Sequence, residues 1–272
     1  MRGTYQLIAL DLDGTLVRSD QTISPHTSEA LIHLQEQGTK IVIASGRPTF
    51  GTIPAAEALR LKDFGGYVMS YNGGEIYDYK NDEVLHSQTL DKSTLPHLYS
   101  YANEHGCPIM TYIGKHVVSE VDDNDYIRYS SMRNRMEIKK IRSFLETTNH
   151  ADIVKCIIVG SPTLLPSLEK ELQMMLQDKA GVFRSEPFFL EIVPKGIDKA
   201  KGLDILSRET GLSRENIVAF GDGFNDLSML QYAGLGVAMG NASDEIKKAA
   251  DMVAPSNDDD GIVHALQQIG LF

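Results

Sequence analysis

The sequence predicts an α/β fold in which helices flank a parallel sheet and a second, α+β domain is inserted into the first. Three features predict it: short apolar runs that end in polar residues, helical patterns between those runs, and a middle segment of different character. Strands that alternate with helices form βαβ units with right-handed crossovers, which build a parallel sheet. We therefore expect a Rossmann-like core domain and an inserted α+β domain.

The first strand and the first helix are predicted by local signals. Residues 7–10 are all apolar and end at Asp11, as in a strand that is covered on both faces. After a loop, Ser24 and Pro25 are the residue types preferred at a helix N-cap and first helical position. Apolar residues at helical spacing then continue until Gly38, a typical residue after a helix C-terminus.

Further short apolar runs predict the other strands of the core sheet. They cover residues 41–44, 67–69, 217–220, 235–239 and 252–254. Helical patterns at residues 200–210 and 244–250 lie between the later runs. Strand and helix thus alternate in both halves of the predicted core.

The middle of the chain mixes strand-like pieces with helices, which indicates the inserted domain. Strand-like pieces lie at residues 116–121 and 154–159, and a helical pattern covers 164–176. This segment is nearly neutral, whereas the rest of the chain carries almost all of the net charge of −11. We place the core domain at residues 1–84 plus 188–272 and the inserted domain at 85–187.

Composition and charge exclude several classes of protein. A net charge of −11 disfavours non-specific binding to nucleic acids or to anionic membranes. No segment approaches the roughly 20 apolar residues of a membrane span, and no secretory signal is present. Cys107 and Cys156 lack the spacing of a zinc site, so we expect two buried apolar side chains. We expect a soluble cytoplasmic protein.

Asp11 and Asp13 come directly after the first predicted strand. Two carboxylates in such positions repel each other unless a cation lies between them, and Mg²⁺ prefers oxygen ligands of this kind. Gly14 permits a sharp turn after them. A carboxylate placed here is also able to attack phosphorus and form an acyl phosphate. The alternative is a turn that carries two solvated acids.

Asp222, Asn225 and Asp226 repeat this pattern after the strand predicted at residues 217–220. In open α/β sheets, ligands bind beyond the carboxyl ends of the strands. The three side chains therefore either complete a metal site or orient its water ligands. The alternative is that Asn225 or Asp226 caps the following helix, a role that is compatible with metal binding.

Three further segments supply candidate ligand-binding groups. Ser45 follows a strand and precedes Gly46, so its hydroxyl and the nearby backbone N–H groups are suited to phosphate oxygens, although a turn serine is an equal alternative. Lys199 offers a point charge for phosphate, but most lysines are solvated surface groups. Asn72 and Gly73 either contact substrate, act as a hinge or form a tight turn.

In their order along the chain, these residues resemble the four motifs of the haloacid dehalogenase superfamily. The matching positions are Asp11-x-Asp13-Gly14-Thr15, Ser45, Lys199 and Gly221-Asp222-x-x-Asn225-Asp226. The insertion resembles the large α+β cap of the Cof-type phosphatases in length and placement.

The resemblance implies a role for each matching residue. Asp11 would be the nucleophile and a metal ligand. Asp13 would be the general acid and then the base, with a pKa raised by burial and neighbouring carboxylates, and its backbone carbonyl would contact the metal. Ser45 and Lys199 would hold the phosphoryl oxygens.

The last motif completes the implied site. Asp222 would ligate Mg²⁺, Asn225 would contact phosphate and Asp226 would support the site.

The function expected is that of a Mg²⁺-dependent phosphatase that hydrolyses small phosphorylated metabolites, such as sugar phosphates, through an aspartyl-phosphate intermediate. One alternative is a phosphomutase on the same scaffold, which the core motifs do not distinguish. The other is a metabolite-binding regulator with little turnover, against which the intact pair of Asp11 and Asp13 argues.

Overall fold

The computed structural model describes residues 5–272, which form two compact units. The first unit contains the described residues up to His86 together with Asp198–Phe272, and the second is Ser87–Ile197. The chain returns to the first unit later than residue 188, where we expected the core to resume. The cause is the strand Phe189–Pro194, which pairs with strands of the second unit.

The described residues contain fourteen β-strands. They are β1 Leu7–Asp11, β2 Lys40–Ala44, β3 Tyr67–Ser70, β4 Glu75–Asp78, β5 Glu83–Ser87, β6 Ile109–Ile113, β7 His116–Ser119, β8 Glu137–Lys140, β9 Cys156–Val159, β10 Ala180–Glu186, β11 Phe189–Pro194, β12 Ile217–Gly221, β13 Leu235–Ala238 and β14 Met252–Val253.

The same residues contain eleven α-helices. They are α1 Pro25–Glu36, α2 Ile53–Ala58, α3 Leu61–Phe64, α4 Leu95–Glu104, α5 Asp125–Asn134, α6 Phe144–Asn149, α7 Leu165–Leu176, α8 Lys199–Thr210, α9 Leu227–Tyr232, α10 Asp244–Ala249 and α11 Gly261–Gln268. Within the described part of the chain, none of them combines the length and the apolar character that crossing a membrane requires.

The first unit is built on an eight-stranded sheet in the order β14-β13-β12-β1-β2-β3-β4-β5. The strands from β14 to β3 pair in parallel, and β4 pairs antiparallel with β3. Each apolar run that we assigned to the core sheet forms a strand of it. The predicted α/β fold with a parallel-sheet core is therefore confirmed.

Both faces of this sheet are covered, which explains why its strands are apolar at successive positions. Ile8 and Leu10 of β1 join a core cluster with residues of α1, α2 and α11. Leu7 and Ala9 join a second cluster with residues of α8, α9 and α10. All five residues of β1 are buried, including Asp11 at its carboxyl end.

The start of α1 follows the predicted capping pattern. The Ser24 hydroxyl accepts a hydrogen bond from the backbone N–H of Thr27 at 3.0 Å, and Pro25 occupies the first helical position. Gly38 has a φ of +97°, the left-handed conformation typical of a residue that follows a helix. These residues set the two ends of α1 and therefore the point at which the chain turns back toward β2.

The second unit has a six-stranded sheet in the order β10-β11-β9-β6-β7-β8. Its neighbours pair antiparallel, except that β7 and β8 pair in parallel. Residues of α4, α6 and α7 form its apolar core with side chains of the sheet. Cys107 and Cys156 are buried there as free thiols, as expected.

Candidate active site

A buried ammonium group joins two carboxylates at the carboxyl edge of the first sheet. Lys199 is the first residue of α8 and has no solvent exposure. Its Nζ donates to Oδ1 of Asp11, at the end of β1, over 2.5 Å, and also to Oδ1 of Asp226. The solvated-surface alternative for Lys199 is therefore wrong, and the two acids share one positive charge.

Asp226 also accepts hydrogen bonds from the backbone of the loop after β12. Its Oδ2 accepts hydrogen bonds from the backbone N–H groups of Asp222 at 3.0 Å and of Gly223 at 2.8 Å. The side chain is almost completely buried. Asp226 thus caps the turn Phe224–Asp226 and contacts Lys199, whereas its side chain accepts no cap hydrogen bond from the helix that follows, Leu227–Tyr232.

The Asp222 carboxylate lies beside the loop that follows β1. Its Oδ1 accepts from the Thr15 hydroxyl at 3.0 Å, and its Oδ2 accepts from Asn241 Nδ2 at 3.3 Å. Gly14 has a φ of +80°, and a Cβ atom there would lie 2.4 Å from Asp222 Oδ2. Only glycine permits this approach of the loop to the carboxylate.

Negative charge exceeds positive charge in this cluster. Asp11, Asp222 and Asp226 each offer a carboxylate oxygen, all within 4.8 Å of one another, and Lys199 contributes the buried positive charge. A site of carboxylate oxygens with excess negative charge has the chemistry that a hard divalent cation requires. The residues present therefore fit a metal ion.

The pKa values reflect the same imbalance. Burial, and then the charge of Asp226, raise the pKa of Asp11 well above its ordinary value, although Lys199 opposes them. Burial and Asp226 raise the pKa of Asp222 to about 6. Burial disfavours the charged form of Lys199, but the two carboxylates outweigh it and raise the pKa of its ammonium. Additional positive charge would stabilise the ionised acids.

Asp13 has a partner that we did not predict. Arg47 donates through Nε to Asp13 Oδ2 at 2.8 Å and through a terminal nitrogen to the other carboxylate oxygen. We expected burial and neighbouring carboxylates around Asp13. The Asp222 carboxylate is close enough to repel it, but the Asp13 side chain is partly exposed and its ion-pair partner is a guanidinium. This pairing holds the carboxylate in one orientation. The only signal in the sequence was the position of Arg47 two residues after Ser45.

Ser45 and Gly46 form the start of the loop after β2. Ser45 is buried, and its hydroxyl accepts the backbone N–H of Arg47 at 3.1 Å, so it stabilises the turn. Gly46 lies against the carboxamide of Asn72, which would be 3.2 Å from a Cβ atom at this position. Asn225 contacts the same Asn72 carboxamide, because its Nδ2 donates to Asn72 Oδ1 at 3.1 Å.

The predicted residues therefore meet at one edge of the sheet in two connected groups. One group contains Asp11, Lys199, Asp226 and Asp222, and the other contains Asp13, Ser45, Gly46 and Asn225. The prediction missed Arg47 and Asn241 and left the role of Asn72 open. Asn241, which also donates to the carbonyl of Gly14 at 2.8 Å, carries no recognisable signal in the sequence.

Comparison with known proteins gives consistent results. Residues 8–266 match the family of haloacid dehalogenase-like hydrolases. The fold is similar to the crystal structure of a haloacid dehalogenase-like hydrolase from Bacteroides thetaiotaomicron, with a TM-score of 0.94 and 46% identity over 97% of this chain and 99% of that one. It is also similar to a sugar phosphatase of HAD subclass IIB, with a TM-score of 0.81 and 26% identity over 98% and 100% of the two chains.

A further relative has a named substrate. The chain is 32% identical to the pyridoxal phosphate phosphatase YbhA of Escherichia coli over 95% of this chain and 96% of that protein.

Proposed function

Because the chain belongs to the haloacid dehalogenase-like hydrolase family and is a phosphatase, we propose that it hydrolyses small phosphorylated metabolites. In this proposal the reaction passes through an aspartyl-phosphate formed on Asp11, and Mg²⁺ is the metal ion. The observation that carries the proposal is the buried group of Asp11, Lys199 and Asp226. A buried carboxylate that is held by one ammonium beside further acids is suited to attack phosphorus when more positive charge is present.

In the first step, a carboxylate oxygen of Asp11 forms a bond to phosphorus while the bond between phosphorus and the leaving oxygen breaks. Lys199 offsets part of the repulsion between the carboxylate and the phosphoryl dianion. Asp11 and Asp222, with the backbone carbonyl of Asp13, would hold Mg²⁺, which when bound would supply the remaining positive charge.

Asp13 is proposed to move the proton in both steps. As an acid it protonates the leaving oxygen, and as a base it then takes a proton from the water that attacks the acyl phosphate. The second step releases inorganic phosphate and restores the Asp11 carboxylate. Arg47 orients the Asp13 carboxylate, and protonation of Asp13 requires this ion pair to loosen.

The remaining residues are proposed to hold the phosphoryl oxygens. Ser45 and Gly46 lie on the loop after β2, Lys199 begins α8, and Asn225 lies in the loop after β12. Together they would offer a hydroxyl, an ammonium, an amide and backbone N–H groups, which are suitable donors for phosphate. Asp226 would support this set by fixing Lys199.

We propose that the second unit is a cap that selects the substrate. It is an insertion in the chain of the first unit, to which two linkers join it near His86 and Asp198. The substrate class is supported by relatives that act on pyridoxal phosphate and on sugar phosphates. A net charge of −11 also disfavours a nucleic-acid polymer as the substrate.

Phosphate release from a panel of sugar phosphates, pyridoxal phosphate and an aryl phosphate would test the proposal. We expect release that requires Mg²⁺ and stops when a chelator is added. Transfer of phosphate to a second position of a sugar, without release, would indicate a mutase. Binding without turnover would indicate a regulator. Equal release with and without a divalent metal would contradict the proposed cofactor.

Metal affinity should depend on pH because Asp222 must be ionised to act as a ligand. Its pKa is raised to about 6 in the metal-free protein, so the proton competes with the metal below that pH. We expect the affinity for Mg²⁺ at about pH 5 to be at least about tenfold weaker than at about pH 7.5, as measured by calorimetry, because the raised pKa of Asp11 adds to the competition at Asp222. Asp222→Asn should bind weakly at both pH values. An affinity of the wild type that does not change over this range would contradict the prediction.

A further inference from the structure

The turn after β3 has an unusual backbone. Tyr71, Asn72 and Gly73 follow one another with φ values of +53°, +56° and +95°. The left-handed region is unfavourable for residues other than glycine, so two consecutive non-glycine residues there cost free energy. Such strained conformations persist only when surrounding structure enforces them, and they concentrate at functional sites.

The surroundings that enforce this turn are the proposed phosphate-binding segments. The backbone N–H of Asn72 donates to the carbonyl of Ser45 at 2.8 Å, and that of Tyr71 donates to the carbonyl of Arg47 at 3.0 Å. A Cβ atom at Gly73 would lie 2.5 Å from the carbonyl oxygen of Asp198, the residue before Lys199. The turn is therefore in contact with both the loop after β2 and the start of α8.

The Asn72 side chain connects the turn to a third segment. Its Oδ1 accepts the hydrogen bond from Asn225 Nδ2 at 3.1 Å, between residues 153 positions apart, and its carboxamide lies against Gly46. A carboxamide nitrogen carries two hydrogens. The bond to Asn72 uses one of them and restricts rotation of the Asn225 carboxamide, and the second hydrogen is the one that a phosphate oxygen could accept.

We propose that Asn72 is a positioning residue that orients the Asn225 carboxamide toward the phosphoryl group. The inference is conditional on the phosphatase mechanism, in which Asn225 contacts phosphate. The left-handed conformation serves this role because it places the carboxamide of Asn72 between Gly46 and Asn225. Without that acceptor, the exposed Asn225 side chain would sample several rotamers, and part of the binding energy would be lost in ordering it.

A double-mutant cycle with Asn72→Gly and Asn225→Ala tests this proposal. Glycine removes the side chain but adopts a positive φ readily, so the turn should persist and stability should not fall. We expect Asn72→Gly alone to lower kcat/KM about tenfold, the effect of one lost orienting hydrogen bond. In the Asn225→Ala background, the same change should lower kcat/KM less than about twofold.

The control is Arg60→Gly, a substitution at another residue with a left-handed φ of +55°, which is exposed and lies outside the proposed site. It should leave kcat/KM unchanged. Equal losses from Asn72→Gly in both backgrounds, or no loss in either, would overturn the proposal.

Calorimetry on the four proteins of the same cycle would measure their affinity for inorganic phosphate in the presence of Mg²⁺. This measurement tests the positioning role independently of the proposed function. If the wild type released no phosphate from any substrate, the proposed function would fail. Coupling between Asn72 and Asn225 in phosphate affinity would still support the positioning role, and its absence would overturn it.

Discussion

Replacing Asp11 by asparagine should lower phosphate release by about 10⁴-fold or more, because a neutral carboxamide would take the place of the carboxylate that we propose as the nucleophile. The substitution nearly preserves the shape of the side chain, which is buried at the end of β1. Steady-state release and acid-quenched peptide mapping would measure the effect. A phosphoryl group should be found on the peptide that contains Asp11 in the wild type and not in the variant.

The stability of Asp11→Asn separates a chemical defect from a folding defect. Burial and Asp226 raise the pKa of Asp11, which means that its ionised form is costly in the folded metal-free protein. Lys199 keeps Asp226 as a partner in the variant, so we expect a free energy of unfolding equal to or higher than that of the wild type. Asp244→Asn, an exposed change in the same unit, is the control that should retain full activity. Residual release within about tenfold of wild type would exclude Asp11 as the nucleophile.

The position of the carboxylates could be predicted because it follows from simple rules. A short apolar run indicates a strand buried on both faces, and parallel strands bring their carboxyl ends to one edge. Asp11 directly follows one such run and Asp222 follows another after Gly221, and β1 and β12 are neighbours in the sheet. Neither statement requires knowledge of side-chain packing.

Side-chain partners at the same edge could not be predicted in this way. Lys199 lies 188 residues from Asp11 in the chain, and its burial depends on the position of α8 relative to β1. The same applies to Asn241, whose contact with Asp222 joins the segment after β13 to the loop after β12. A polar residue in a loop has no periodic pattern, so its partner is decided by tertiary structure alone.

The second boundary between the units illustrates a different limit. The apolar residues of β11 have the same pattern as a buried strand of the first sheet, and all six residues of this strand are buried. What assigns it to the second unit is pairing with β9 and β10. Hydrophobic pattern predicts that a strand is buried but not which sheet contains it.

Replacing Lys199 by methionine should damage both stability and activity, since Asp11 and Asp226 would lose the ammonium that they share. Removing one partner of a buried ion pair leaves uncompensated charge and typically costs about 3–5 kcal/mol in the free energy of unfolding. Under the proposed mechanism Lys199 also stabilises the transition state, so its loss should lower kcat/KM by about 10³-fold. Denaturant unfolding and phosphate release would measure the two effects.

The loss of stability in Lys199→Met should shrink as the pH falls. Without the ammonium, burial and Asp226 raise the folded-state pKa of Asp11 unopposed, so the folded protein binds a proton that the unfolded chain releases. The stabilisation from that proton is present at low pH and is lost as the pH rises through the raised pKa.

A variant with both Asp11→Asn and Lys199→Met should recover part of the lost stability, because it has one fewer buried charge. Lys201→Met, an exposed change in the same helix, is the matched control. If Lys199→Met were as stable as the wild type at about pH 7.5, or if its defect did not change with pH, the buried ammonium would not be the group that offsets the burial of the Asp11 carboxylate.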